Sequence, residues 1–207
     1  KGLIPDLKGL STTYTINPSS TVPGCATVYV QPDDPAGTPT GLNIDDRYSG
    51  VINLSFPFPF FGITFNSLIV SANGVISFDI SKAGLFAHFA VNNDLPSASY
   101  DRAIIMGPYH DLHPGLTTSP TQRIQYQEFG LAPCRRWVFS FYKVPLFGCT
   151  TLIENTHQII LYESTGIVEV TIFSKQICAS SQGGRSIVGM QDFNRIESIM
   201  APDRKAT

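Results

Sequence analysis

Charge is scarce in this chain. Only 14% of its 207 residues are Asp, Glu, Lys or Arg, against roughly 25% in an average soluble domain. The net charge of −2 gives no basic footprint for nucleic acid and no polybasic patch for a membrane surface. Long apolar runs are missing too: none approaches the roughly 20 residues a spanning helix needs, so membrane insertion is not expected. Helical periodicity is nearly absent, and only Ser81–Val91 has room for a turn or two. The four cysteines include no Cys-x-x-Cys pair, which argues against a zinc ribbon or a thioredoxin-type motif. There is no Gly-x-Ser-x-Gly elbow, no EF-hand order of carboxylates, and no strand–helix context for a phosphate loop at Gly183-Gly184.

What the chain does contain is strand signal. Candidates are Val51–Phe56, Ser67–Ser71, Val75–Asp79, Ala103–Tyr109, Arg123–Phe129, Arg135–Val144, Thr156–Glu163, Val168–Ser174 and Ser186–Gln191, separated by turn residues. In Arg135–Lys143 the period is two: Trp137, Phe139 and Phe141 share one face, Arg136, Ser140 and Tyr142 the other. Arg135 shares parity with the aromatics, which suits stacking on a ring or pairing with a carboxylate at the sheet end. Pro57 and Pro59 place the first aromatic run at a sheet edge or bulge, because proline cannot donate to a ladder. Asn73-Gly74 reads as a tight hairpin turn with φ > 0 at both positions. The expected fold is all-β, an antiparallel β-sandwich with long loops and little helix, in one domain over residues 1–207. Residues 1–45 are its loop-rich portion, with a short strand at Ala26–Val30, and 201–207 a linker or cut end.

The cysteines fit disulfides made in an oxidising compartment, and three pairings are possible. Cys149 with Cys178 is preferred, because they bracket one predicted hairpin whose open end brings them together. Cys25 with Cys134 follows by elimination. The alternative is free buried thiols.

The densest chemistry is His110-Asp111-Leu112-His113. Two imidazoles and a carboxylate suit zinc or another transition metal, but no spacing fixes a third ligand, and a structural role is the plainer reading. Asp45-Asp46 offers loop oxygens of the kind calcium takes; loop carboxylates also cap turns. The residues call for no cofactor beyond calcium as a candidate, to be tested beside zinc. Tyr109, Tyr126 and Tyr142 are candidates for an aromatic sugar-binding platform. Glu128, Glu154, Glu163 and Glu169 have no reason to pair as glycosidase acids, and Glu163 with Glu169 reads as a solvated face.

Several motifs occur in order: the aromatic-proline run ending Phe60-Phe61-Gly62, then Ser71-Ala72-Asn73-Gly74-Val75-Ile76-Ser77-Phe78, then Gly107-Pro108-Tyr109-His110-Asp111-Leu112. Arg135-Arg136-Trp137-Val138-Phe139-Ser140-Phe141 and Gln158-Ile159-Ile160-Leu161-Tyr162 follow. Together, over roughly Asp45–Asp203, the chain resembles NIDO-type extracellular modules of very large Bacteroidetes surface proteins. The resemblance implies secretion to the cell surface, by the type IX route used in gliding motility. It also implies a non-enzymatic adhesion or spacer role and partners among surface proteins or glycans and neighbouring domains. Asp111 would then accept backbone hydrogen bonds at a strand end. The chain departs from the pattern at Pro59, where relatives often carry Cys, which leaves the role of Cys25 open. It also departs after Arg204, where relatives continue into a further strand. The alternatives are a carbohydrate-binding module, and a metal-dependent hydrolase in which His110, Asp111 and His113 converge.

Overall fold

The computed structural model describes residues 30–149 and 152–202. Among these, eleven strands form two antiparallel sheets packed as a sandwich. In chain order they are β1 (Thr38–Pro39), β2 (Ile52–Phe60), β3 (Ile63–Val70), β4 (Val75–Ser77), β5 (Ile104–Tyr109) and β6 (Arg123–Phe129). β7 (Arg136–Pro145), β8 (Glu154–Tyr162), β9 (Val168–Ser174), β10 (Ile187–Gln191) and β11 (Ser198–Met200) follow. One sheet runs β11-β10-β5-β4-β3-β2 and the other β1-β6-β7-β8-β9. Of the stretch read as possibly helical, only a 3₁₀ turn at Ile80–Lys82 forms, begun where the Ser81 N–H donates to Asp79 Oδ1 at 3.2 Å. The short strands β1 and β11 have too little pattern to be legible in sequence. Of the expected strand at Ala26–Val30, all but Val30 lies outside the described residues.

β2 is an edge strand, as its prolines require, and its register shifts between Asn53 and Phe58. The strand runs on past Phe56, because alternation continues: Phe56, Phe58 and Phe60 are buried while Pro57 and Pro59 fall between them. Each buried ring contributes about 1.5–3 kcal/mol of transfer free energy. The tight hairpin is elsewhere than expected. Phe61 (φ 45°) and Gly62 (φ 76°) form the two-residue turn with both residues left-handed, directly after the Phe60–Ile63 pair. At Asn73-Gly74 only the glycine has positive φ, and a wider loop is closed by the Ser71 N–H donating to Val75 O at 2.7 Å. Asn73 does other work there.

The core lies between the sheets, where Phe56, Phe58, Phe60 and Phe78 meet Trp137, Phe139 and Phe141. The predicted inner face of β7 is correct. Its outer face is buried as well, because Val30 packs there with Val138, Ile160 and Tyr162. The sheets approach closely at Gly107, where an added Cβ would sit 2.9 Å from Val170 Cγ2 and 3.0 Å from Ile159 Cγ1. Arg135 does both things its position suggested. Its guanidinium forms a two-pronged pair with Glu163 (2.9 and 2.5 Å) and lies 5.4 Å over the Phe56 ring. Glu163 is therefore a paired carboxylate rather than part of a plain solvated face, and the Arg135 bonds hold its acid below the usual range.

Cys149 and Cys178 are disulfide-bonded across the open end of the β8–β9 hairpin. Cys25 lies outside the described residues, so its expected pairing with Cys134 is not described. The chain-entropy model assigns a loop of this length about 3.5 kcal/mol. Replacing both Cys149 and Cys178 with Ser is therefore expected to lower urea-derived stability by about 3 kcal/mol. A loss under about 1 kcal/mol would mean that the hairpin is held by packing alone.

Candidate functional site

Three loops meet at one end of the sandwich. The segment entering β2 carries Asp45 and Asp46, the chain after β5 carries Asp111 and His113, and residues 83–91 lie beside them. Asp46 sits in the left-handed region at φ 49°, a conformation Asp tolerates better than most residues. Its carbonyl accepts the Ala87 N–H at 2.8 Å. One carboxylate oxygen from each of Asp45, Asp46 and Asp111 falls within 4.8 Å of the others.

Asn73 holds this arrangement. Its side-chain amide donates to Asp46 Oδ1 at 2.9 Å and to His88 O at 3.2 Å, and its Oδ1 accepts the Leu112 N–H at 2.9 Å. Gln182 is a second clamp, donating to Phe89 O at 3.0 Å and Asp111 Oδ2 at 3.4 Å. Neither was legible as a site residue. Asn73 could have been found from its place beside a strand end, whereas Gln182 opens a short 3₁₀ turn (Gln182–Gly184) whose sequence points to no site.

The electrostatics are strained. Burial, then repulsion from Asp46, raises the Asp45 acid, with His113 partly offsetting this. Burial raises Asp46, and the Asn73 bond lowers it in part. Asp111 is only 7% exposed, and burial followed by Asp46 pushes it up to about 7. Asp45 Oδ1 is buried without a hydrogen-bond partner, and His113 Nε2 stands 3.9 Å from Asp45 Oδ2. Three crowded carboxylates suit a hard divalent cation or an ammonium or guanidinium group, since any of these relieves the repulsion.

The proposed His110, Asp111, His113 ligand set does not assemble. Side chains alternate along an extended chain: Asp111 and His113 face the cluster, whereas His110 is 1% exposed and packs 6.3 Å from the His157 ring. His157 stacks on Phe141 at 4.3 Å. The ring nitrogens of His110 and His157 are buried without partners, and burial lowers both, His157 to about 3. The three tyrosines are not brought together either. Tyr109 is buried, its hydroxyl contacting His88 Nδ1 at 2.7 Å and donating to Ala90 O at 3.1 Å. Tyr126 packs inward on Trp137 and Phe139. Tyr142 lies beside Arg123 and Lys143. A shared sugar platform from these residues is thus corrected: Tyr109 has no exposed face, and Tyr126 serves the core.

A family model described as NIDO related matches residues 23–207. No curated protein and no solved structure gives a significant match.

Opposing titrations shape the pH response: burial lowers His110 as it does His157, while Asp111 is raised. His157 stays neutral in the fold, so the unfolded chain takes up its proton first and stability falls as pH drops from about 6.5 towards 3, by roughly 1.4 kcal/mol per unit. Asp111, raised to about 7, holds its proton better folded than unfolded, so its contribution falls as pH rises from about 4 to 7. In wild type Asp111 offsets only part of the acid slope that the two buried histidines set. Asp111→Asn is expected to raise stability at pH 8 by on the order of 1 kcal/mol and to expose the steeper acid slope. Urea melts of the variant at pH 8, 6 and 5 check this; a flat profile would show that the His110 and His157 imidazoles are hydrated rather than buried.

Proposed function

The chain belongs to the NIDO-related family, and on that premise we propose that it is a non-catalytic adhesion or spacer module of a large secreted cell-surface protein. Family membership over residues 23–207 carries the reading, since the family is of extracellular type. The Cys149–Cys178 bond supports it, because such bonds persist in oxidising compartments. The separation of His110 from His113 also supports it, leaving no grouped imidazoles for metal-assisted hydrolysis there. No helix among the described residues is long and apolar enough to cross a membrane. Contact with a partner would be made by the loops around Asp45, Asp46 and Asp111. An antibody against the domain is expected to label intact source cells or the medium. A signal seen only after lysis would overturn the extracellular placement.

A second reading adds calcium at those three residues, favoured because Asp111 joins the two acids singled out in sequence. Calcium takes six to eight oxygens. Asp46 and Asp111 each already spend one on Asn73 or Gln182, so water would complete the shell and the ion would exchange readily. Saturating calcium is then expected to raise the melting temperature over that in EDTA, and Asp111→Asn to abolish the rise. An unchanged midpoint in wild type would end the calcium reading.

A further inference from the structure

The carboxylate cluster is bordered by apolar side chains that the fold leaves uncovered. Leu85, Phe86 and Phe89 are 55%, 57% and 37% exposed on one side, and Ile44 (51%) and Phe147 (46%) are exposed beside Asp45 and Asp111. Large side chains left in water beside a polar centre are the mark of a contact surface rather than of a monomer's ordinary exterior. The surface is held in place. Phe86 and Phe89 pack edge-on at 6.3 Å, and the intervening Ala87 N–H donates to Asp46 O. Phe89 O shares the Gln182 amide with Asp111. Across the cluster, the Phe147 N–H donates to Asp111 O at 3.0 Å, and its ring lies 5.9 Å from His113.

We propose that this apolar rim docks a protein segment presenting a lysine or arginine side chain flanked by apolar residues, with the cation seated against Asp45, Asp46 and Asp111. The inference rests on the adhesion reading and names the chemistry of its partner. Charge complementarity selects the occupant. The basic side chains acting on Asp45 and Asp46 are the imidazoles of His113 and His88. Among the described residues no lysine or arginine comes within ion-pair distance of any of the three carboxylates. An acidic segment or an anionic lipid headgroup would add to the repulsion; a basic side chain removes it while the rim excludes water around the pair. The rim supplies the anchor and the carboxylates the selectivity.

The test uses the full chain and a labelled peptide of sequence Trp-Leu-Arg-Leu-Trp, with otherwise identical peptides carrying Glu or citrulline in place of Arg, read by fluorescence anisotropy. The arginine peptide is expected to bind, and its two analogues to bind at least about tenfold more weakly. Phe86→Ser, Phe89→Ser and Asp45→Asn should each weaken the arginine peptide by about tenfold without lowering the melting temperature, and calcium should displace it. Ile44→Ser, next to Asp45 in the chain, serves where a variant of residues 86–89 melts early. Equal binding of all three peptides, no binding of the arginine peptide at millimolar concentration, or binding only when calcium is present would each overturn the proposal. None of these outcomes bears on whether the module is extracellular, which labelling of intact cells decides separately.

Discussion

One carboxamide ties the loop end of the sandwich together. Asn73, fully buried in the β3–β4 loop, reaches Asp46, the carbonyl of His88 and the amide of Leu112. These belong to three stretches far apart in sequence, and no aspartate could replace the contact, since only an amide both donates and accepts in this pattern. Because Asn73 is fixed by the strands on either side, the loops inherit the rigidity of the sheet. That is how a site made from three loops keeps its carboxylates close despite their repulsion.

The histidine-rich segment after β5 shows how a short motif divides between structural and surface duties. Extended geometry sends His110 into the core towards His157 and leaves Asp111 and His113 at the rim. The buried imidazoles pack on each other, and His157 stacks on Phe141. There they act as polar wedges whose cost the rest of the core must offset. The rim residues instead meet Asp45 and Asp46 across the loop end, where solvent still reaches part of the group.

The fold was legible because it rests on local signals: period-two alternation in β7, prolines that mark β2 as an edge, and turn residues between strands. The errors have physical causes. Asn-Gly was read as the tight turn, yet Phe61-Gly62 takes that geometry, because Phe61 can bury its ring from a left-handed backbone while Asn73 is needed for its side chain. Burial of the outer face of β7 depends on Val30, over a hundred residues away in the chain, and no local pattern encodes it. At the site, Asp45, Asp46, Asp111 and His113 were each visible by chemical type. Their convergence was not, since it depends on the side chains of Asn73 and Gln182 reaching across the fold. Tyr126 failed as a surface residue for a related reason: its register partner Phe139 is an inward residue of β7, and a cross-strand pair shares a face.

The bond between Cys149 and Cys178 has a mechanical meaning for any protein anchored at one end and pulled at the other. Tension applied through the chain must pass across the sulfur–sulfur link, so the residues between the two cysteines carry no load. Even if the sheets were torn apart, roughly 100 Å of contour length would stay withheld until a reductant released it. The bond therefore makes the module a tether whose maximum extension is set by the redox state of its surroundings.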